Sequence, residues 1–276
     1  MADGDVVWAA TDDAIWCAQS LPSDDGTEWR EVAKLPDGAR ARCLVSSANG
    51  VLVGTSGAQV YRLMDHDLAC DAAFAELATR PRWHTPWGGP PSIWTMCRGP
   101  GSDLWVNVHV GGLVRSSDGG RSWAQTGLDI DVDVHQICWD ARDSAFLVAS
   151  AQGFARSEDG ESWAFDNEGL HAHYLRAVAA TDNHVVVCAS RGPRSDEVGV
   201  YRRPRGERAF ERCAPADGWA EGWLASNIDA PALGVAGGEI AFGTADGRAF
   251  ASADEGGCWT EVASGLPPIQ SVLIAH

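Results

Sequence analysis

The sequence predicts an all-β fold: a six-bladed β-propeller of four-stranded antiparallel blades, one domain over residues 1–276, with its ring closed by its own two ends. Three observations carry this. Short apolar runs recur along the chain, separated by turns rich in Gly, Asp and Asn. A Ser-x-Asp-x-Gly-x-x-Trp pattern returns at intervals. The 276 residues also divide into units of about 46, the length of a four-stranded blade.

With strands a to d counted outward from the axis, blade two is expected at 41–47, 51–56, 59–63 and 74–78. Blade three follows at 92–97, 103–108, 112–116 and 122–126, and blade four at 134–140, 145–150, 153–157 and 162–166. Blade five takes 175–181, 184–190, 199–203 and 209–213, and blade six takes 232–236, 239–244, 248–252 and 258–262. Residues 5–11 and 14–19 align with b and c strands, so blade one starts without its innermost strand. The C-terminal apolar run has the a-strand pattern. Blade one is therefore expected to be shared between 5–35 and 268–275, an arrangement that leaves no sheet edge exposed. Thirteen tryptophans suit such a fold, because large aromatics fill the wedges between blades.

The recurring turn is clean at Ser116 to Trp123 and at Ser252 to Trp259. It is one residue shorter at Ser23 to Trp29 and at Ser157 to Trp163. Its aspartate can accept backbone N–H groups, its glycine supplies a positive φ, and its tryptophan covers the turn. On these residues the chain resembles the bacterial Asp-box, or BNR-repeat, propellers grouped with sialidases and photosystem II assembly factors. The resemblance implies a fold, because the motif is a structural turn.

Composition narrows the setting. The start of the chain lacks a basic segment followed by a long apolar one, so a cytoplasmic protein is expected. No apolar run reaches the roughly 18 residues of a membrane helix. Eight cysteines without a C-x-x-C pair read as reduced thiols, several of them inside apolar strands. A net charge of -17 argues against nucleic acid and anionic membranes as partners.

Candidate site residues gather where d-to-a and b-to-c connections share one face of a propeller. His109 falls in a b-to-c loop, while His135 and His171 fall in or beside d-to-a connections of the next two blades. Three imidazoles from consecutive blades would suit Zn, Fe, Cu or Mn with an open position for water or substrate. Asp133, Tyr174 and Arg176 are the candidates for base, acid and anion-stabilising roles. Trp83, His84, Trp87, Arg191, Arg194, Trp223 and Asn227 are the candidate ligand contacts, an aromatic and basic set suited to a ring-containing or anionic small molecule.

Two functional readings follow. One is a small-ligand site organised by a divalent metal, with hydrolase or lyase chemistry. The other is a non-catalytic scaffold with a protein partner, as resemblance to assembly factors implies. Resemblance to sialidases would imply an arginine triad, a tyrosine nucleophile and an F/Y-R-I-P motif. The motif is missing and the chain has only three tyrosines, which argues against glycosidase activity. Calcium held through Asn107, Asn227 and Asp229, as in gluconolactonase-like propellers, is a minor variant of the metal reading.

Overall fold

A computed structural model describes residues 1–4, 6–19, 27–214, 216, 219 and 222–274. The chain is a six-bladed β-propeller, built of six four-stranded antiparallel sheets in sequence order. Two compact units divide it, 1–134 with blades one to three and 135–274 with blades four to six. No helix is long and apolar enough to cross a membrane.

Strand positions follow the expected pattern in blades three to six. Blade three, for example, comprises Ser92–Arg98, Leu104–His109, Gly112–Ser116 and Ala124–Gln125. Blade two differs in its outermost strand, which is Asp67–Cys70 and not 74–78. Residues 72–75 instead form one helical turn. Alanines favour it, and the Asp71 carboxylate caps it by accepting from the Phe74 N–H.

The ends of the chain are arranged as follows. Ala2–Asp3 pairs with the edge of Val6–Ala10, so the described blade-one sheet draws its inner strand from the N-terminus. The C-terminal segment runs beside the b strand of blade six. Ile269 N–H donates to Thr244 O at 3.1 Å, and a Cβ on Gly243 would meet the Ile269 side chain at 2.2 Å. In the other unit, Ile93 opens the a strand of blade three and crowds Gly54 in the same way, at 2.5 Å. Both glycines are needed because the neighbouring isoleucine occupies the space of their missing side chain.

The Ser-x-Asp turns fold as their chemistry dictates. Ser116 Oγ donates to Asp118 at 2.8 Å and accepts from Gly120 N–H at 2.8 Å. The Asp118 carboxylate then accepts from the N–H groups of Arg121 and Ser122, both at 2.9 Å. The Ser122 hydroxyl and these N–H groups hold the Asp118 carboxyl well below the usual range. The shorter copy at Ser157 makes the same turn, with Asp159 accepting from Glu161 and Ser162 N–H. The copy at 23–29 lies largely outside the described residues. Trp123 closes its turn and packs edge-on against Phe74 at 5.4 Å, which joins the turn to the core between blades two and three. Ser116→Ala removes a buried donor–acceptor pair, since Ser116 is 1% exposed. It is expected to cost about 1–2 kcal/mol, read as a lower urea midpoint with an unchanged m-value.

Each unit also ties such a turn to the blade before it, and with the same residues. Val60-Tyr61-Arg62 in blade two and Val200-Tyr201-Arg202 in blade five are c strands of the same sequence. Arg62 donates to Gly120 O at 3.5 Å, and Arg202 donates to Asp254 O at 3.3 Å. Asn49 reaches Gly119 O at 3.2 Å, and Asn183 in the matching position of blade five reaches the Glu255 carboxylate at 2.8 Å. All eight cysteines are free thiols, and burial pushes Cys43, Cys138 and Cys188 up to about 12, so these three are inert at neutral pH.

Candidate functional site

His109 ends the b strand of blade three, and the strand's alternation puts it on the same face as Asn107 and Trp105. Its Nε2 lies 2.8 Å from the Asp133 carboxylate. Asp133 is delivered by a short 3₁₀ turn, Ile130–Val132. Asp129 caps that turn by accepting from Asp131 N–H at 3.0 Å, and Asp133 itself leaves it in the left-handed region at φ 54°. A non-glycine residue in that conformation costs free energy, so the turn is held by its surroundings. Asp129 thus shapes the loop and Asp133 meets the histidine.

Two tryptophans flank the pair. The a and b strands of blade three slip register between Asn107 and Val108, which leaves Trp94 as the extra residue of a β-bulge. A bulge re-aims its side chain. The Trp94 ring lies 3.9 Å from the His109 ring. Trp87 sits 5.1 Å from the same imidazole on a loop closed by Thr85 Oγ donating to Gly89 O at 2.7 Å. Trp87 is 64% exposed and His109 only 5%, so a buried histidine with a half-buried carboxylate partner lies beside an indole open to solvent.

His135 opens the second unit, one residue beyond Val134 from Asp133, and local backbone fixes its place after the aspartate. It is fully buried, its Nδ1 lies 2.6 Å from Leu175 O, and Tyr174 packs on its ring at 4.8 Å. A backbone carbonyl on Nδ1 sets the tautomer and leaves Nε2 with the lone pair, the usual support of a metal-binding imidazole. Among the described residues, the His/Cys/Asp/Glu group with the chemistry to hold a metal ion is His109, Asp133 and His135.

His171 is not in that group. Its Nε2 faces Glu197 O at 2.9 Å and its Nδ1 faces the Tyr201 hydroxyl at 2.7 Å, so both ring nitrogens are engaged. Desolvation lowers its pKa, with the neighbouring Arg191 and Arg212 acting in the same direction. It is a structural histidine of blade five, packed at 4.8 Å against Trp223.

The candidate contacts divide. Trp87 flanks the pair. Trp83 is core: it is 6% exposed, its Nε1 donates to Gln125 at 3.1 Å, and Arg80 lies over its ring at 4.8 Å. His84 is an exposed residue anchored by its backbone to Val110 O at 3.0 Å. In the second unit Arg191 pairs with Glu197 at 2.7 Å, and Arg176 pairs with Asp229 at 2.7 Å. Asn227 pins the 191–198 loop by donating to Gly192 O at 3.1 Å, Arg194 is exposed on that loop, and Trp223 carries the Arg212 guanidinium at 3.5 Å. Sequence reading missed the stacking role of Trp94, because no local pattern announces a bulge.

Comparison with known proteins yields the fold. No family profile matches the chain, and no curated protein matches it in sequence. Among solved structures it is similar to virginiamycin B lyase from Staphylococcus aureus, with a TM-score of 0.70 and 13% identity over 100% of this chain and 86% of that one. It is also similar to YCF48 bound to D1 peptide, with a TM-score of 0.62 and 14% identity over 94% and 79%. A third is the GH74 xyloglucanase from Xanthomonas campestris, with a TM-score of 0.66 and 18% identity over 92% of this chain but 44% of the enzyme. Identities this low establish propeller architecture alone.

Proposed function

We propose that this propeller binds a small ligand through a divalent transition metal held by His109, Asp133 and His135, with Trp87 as the exposed wall of the site. The observation that carries this reading is the contact of buried His109 with half-buried Asp133, beside an indole left open to solvent. Zn, Fe, Cu or Mn suits a donor set of imidazoles and a carboxylate, while calcium, which prefers oxygen, suits it less. When bound, such an ion lowers the pKa of its water and polarises a carbonyl or phosphoryl group, the basis for hydrolase or lyase chemistry. Tyr174, against the His135 ring, is the candidate acid in the second unit. Resemblance to the Asp-box propellers and a cytoplasmic location remain part of this reading.

The test is elemental mass spectrometry after dialysis of untagged protein against Zn²⁺, with Asp133→Asn and His135→Ala beside the wild type. Near-stoichiometric metal, lost in both variants, is expected. Wild-type protein that retains no metal at micromolar concentrations would sink the proposal. The search would then move to a protein partner, a reading supported by the D1 peptide on YCF48, whose fold this chain resembles.

A further inference from the structure

Asn107 is fully buried on the b strand of blade three, two residues before His109 and on the same face. Its Nδ2 donates to Val134 O at 2.8 Å, the carbonyl immediately after Asp133. That bond fixes the amide's orientation, because only the NH₂ group can face a carbonyl. Oδ1 is therefore the end left over, and it has no hydrogen-bond partner. An unmet buried acceptor costs roughly 1–3 kcal/mol, so a fold that keeps one has a reason to.

We infer that Asn107 Oδ1 is a further ligand of the proposed cation site, an inference that rests on the metal reading of His109 and Asp133. The chemistry points one way. Asp133 accepts only, Asn107 offers only its oxygen, and an imidazole whose N–H is used elsewhere offers a lone pair. Acceptors that share one site call for a positive ion. A neutral amide oxygen beside carboxylate and imidazole gives a mixed N/O set, which accepts Mn²⁺ and Fe²⁺ as readily as Zn²⁺ and disfavours the soft Cu⁺.

Mn²⁺ is the probe, because its free-ion EPR signal reports affinity directly. Wild type, Asn107→Leu and Asn107→Asp are titrated, and each is melted with and without Mn²⁺. The leucine variant is expected to bind about 10–100-fold more weakly than the wild type, as for loss of an oxygen contact at a metal site. The aspartate variant places a second carboxylate beside Asp133, so its metal-free form is expected to melt lower. Added Mn²⁺ should then raise its melting temperature by more than it raises that of the wild type. Equal affinity in wild type and Asn107→Leu would overturn the Asn107 assignment and leave the metal reading standing. Absence of Mn²⁺ binding in the wild type would overturn both. If the leucine variant does not fold, the aspartate variant decides: a Mn²⁺ shift no larger than that of the wild type rejects the ligand role.

Discussion

Arg205→Leu is expected to destabilise the protein by roughly 3–5 kcal/mol, the range for removing one partner of a buried ion pair. Arg205 follows the c strand of blade five and grips Asp140 of blade four with both terminal nitrogens, at 2.5 and 3.1 Å. The same guanidinium donates to Thr181 O at 2.6 Å and to Asp182 O at 3.0 Å, and it lies 2.8 Å from Asp143. The side-chain hydrogen bond to Asp140 raises the Arg205 pKa despite partial burial. The Asp140 side chain is only 3% exposed. Leucine would leave that carboxylate charged and dry, still accepting from the Arg142 N–H at 3.1 Å. Urea unfolding of Arg205→Leu, Asp140→Leu and the double variant tests this. The double variant should fall well short of the sum, because removing both partners abolishes the unpaired charge. A single-variant loss below about 1 kcal/mol would mean that solvent reaches Asp140 and that the pair is a surface bridge.

The second large effect is expected at Glu255. This residue sits inside the last Ser-x-Asp turn at φ 56°, and its carboxylate reaches back to blade five. It accepts from Thr181 Oγ at 3.0 Å, from Asn183 N–H at 3.1 Å and from Asn183 Nδ2 at 2.8 Å, and it also bonds the His184 ring. Burial would raise its pKa, but the hydrogen bonds from His184, Asn183 and Thr181 outweigh burial and hold it below the ordinary value of 4.5. Glu255→Ala orphans these donors together and is expected to cost about 2–4 kcal/mol. The sign of the pH dependence follows from the depressed pKa. The stabilisation is present above the unfolded value of 4.5 and is lost as pH falls through the lower folded value. Stability curves of wild type and Glu255→Gln should therefore converge as the solution is acidified below that value. Parallel curves over that range would show that the carboxylate is not held in its charged form.

Much of the architecture was legible in the chain because its determinants are local. Strand alternation, the glycine that only a positive φ suits, and the serine and aspartate that bond their own turn act within about eight residues. Those signals placed the strands of blades three to six and both clean turns. Residues 74–78 were misassigned because a short, mostly apolar segment fits a strand or a helix equally well, and the Asp71 cap decided between them.

The site was legible in part. His109, Asp133 and His135 were all singled out from the sequence, yet the histidines were grouped by blade and the aspartate was given a separate role. Blade number says which loops neighbour one another, but not where a side chain points. The left-handed Asp133, the bulged Trp94 and the Nδ1 contact of His135 are decided by how a loop closes over its neighbours, and none of them leaves a periodic trace. His171 shows the same limit in reverse. Its neighbour Tyr201 is 30 residues away, and that hydroxyl turns a candidate ligand into a packing residue. The Arg205–Asp140 and Glu255–His184 ties span 65 and 71 residues, and each is ordinary in sequence. By itself the sequence determined a propeller of six repeated blades, because backbone conformation and apolar alternation are short-range. Only the tertiary structure decided which acids meet which bases, because a charge is paired by what the fold brings within about 3 Å.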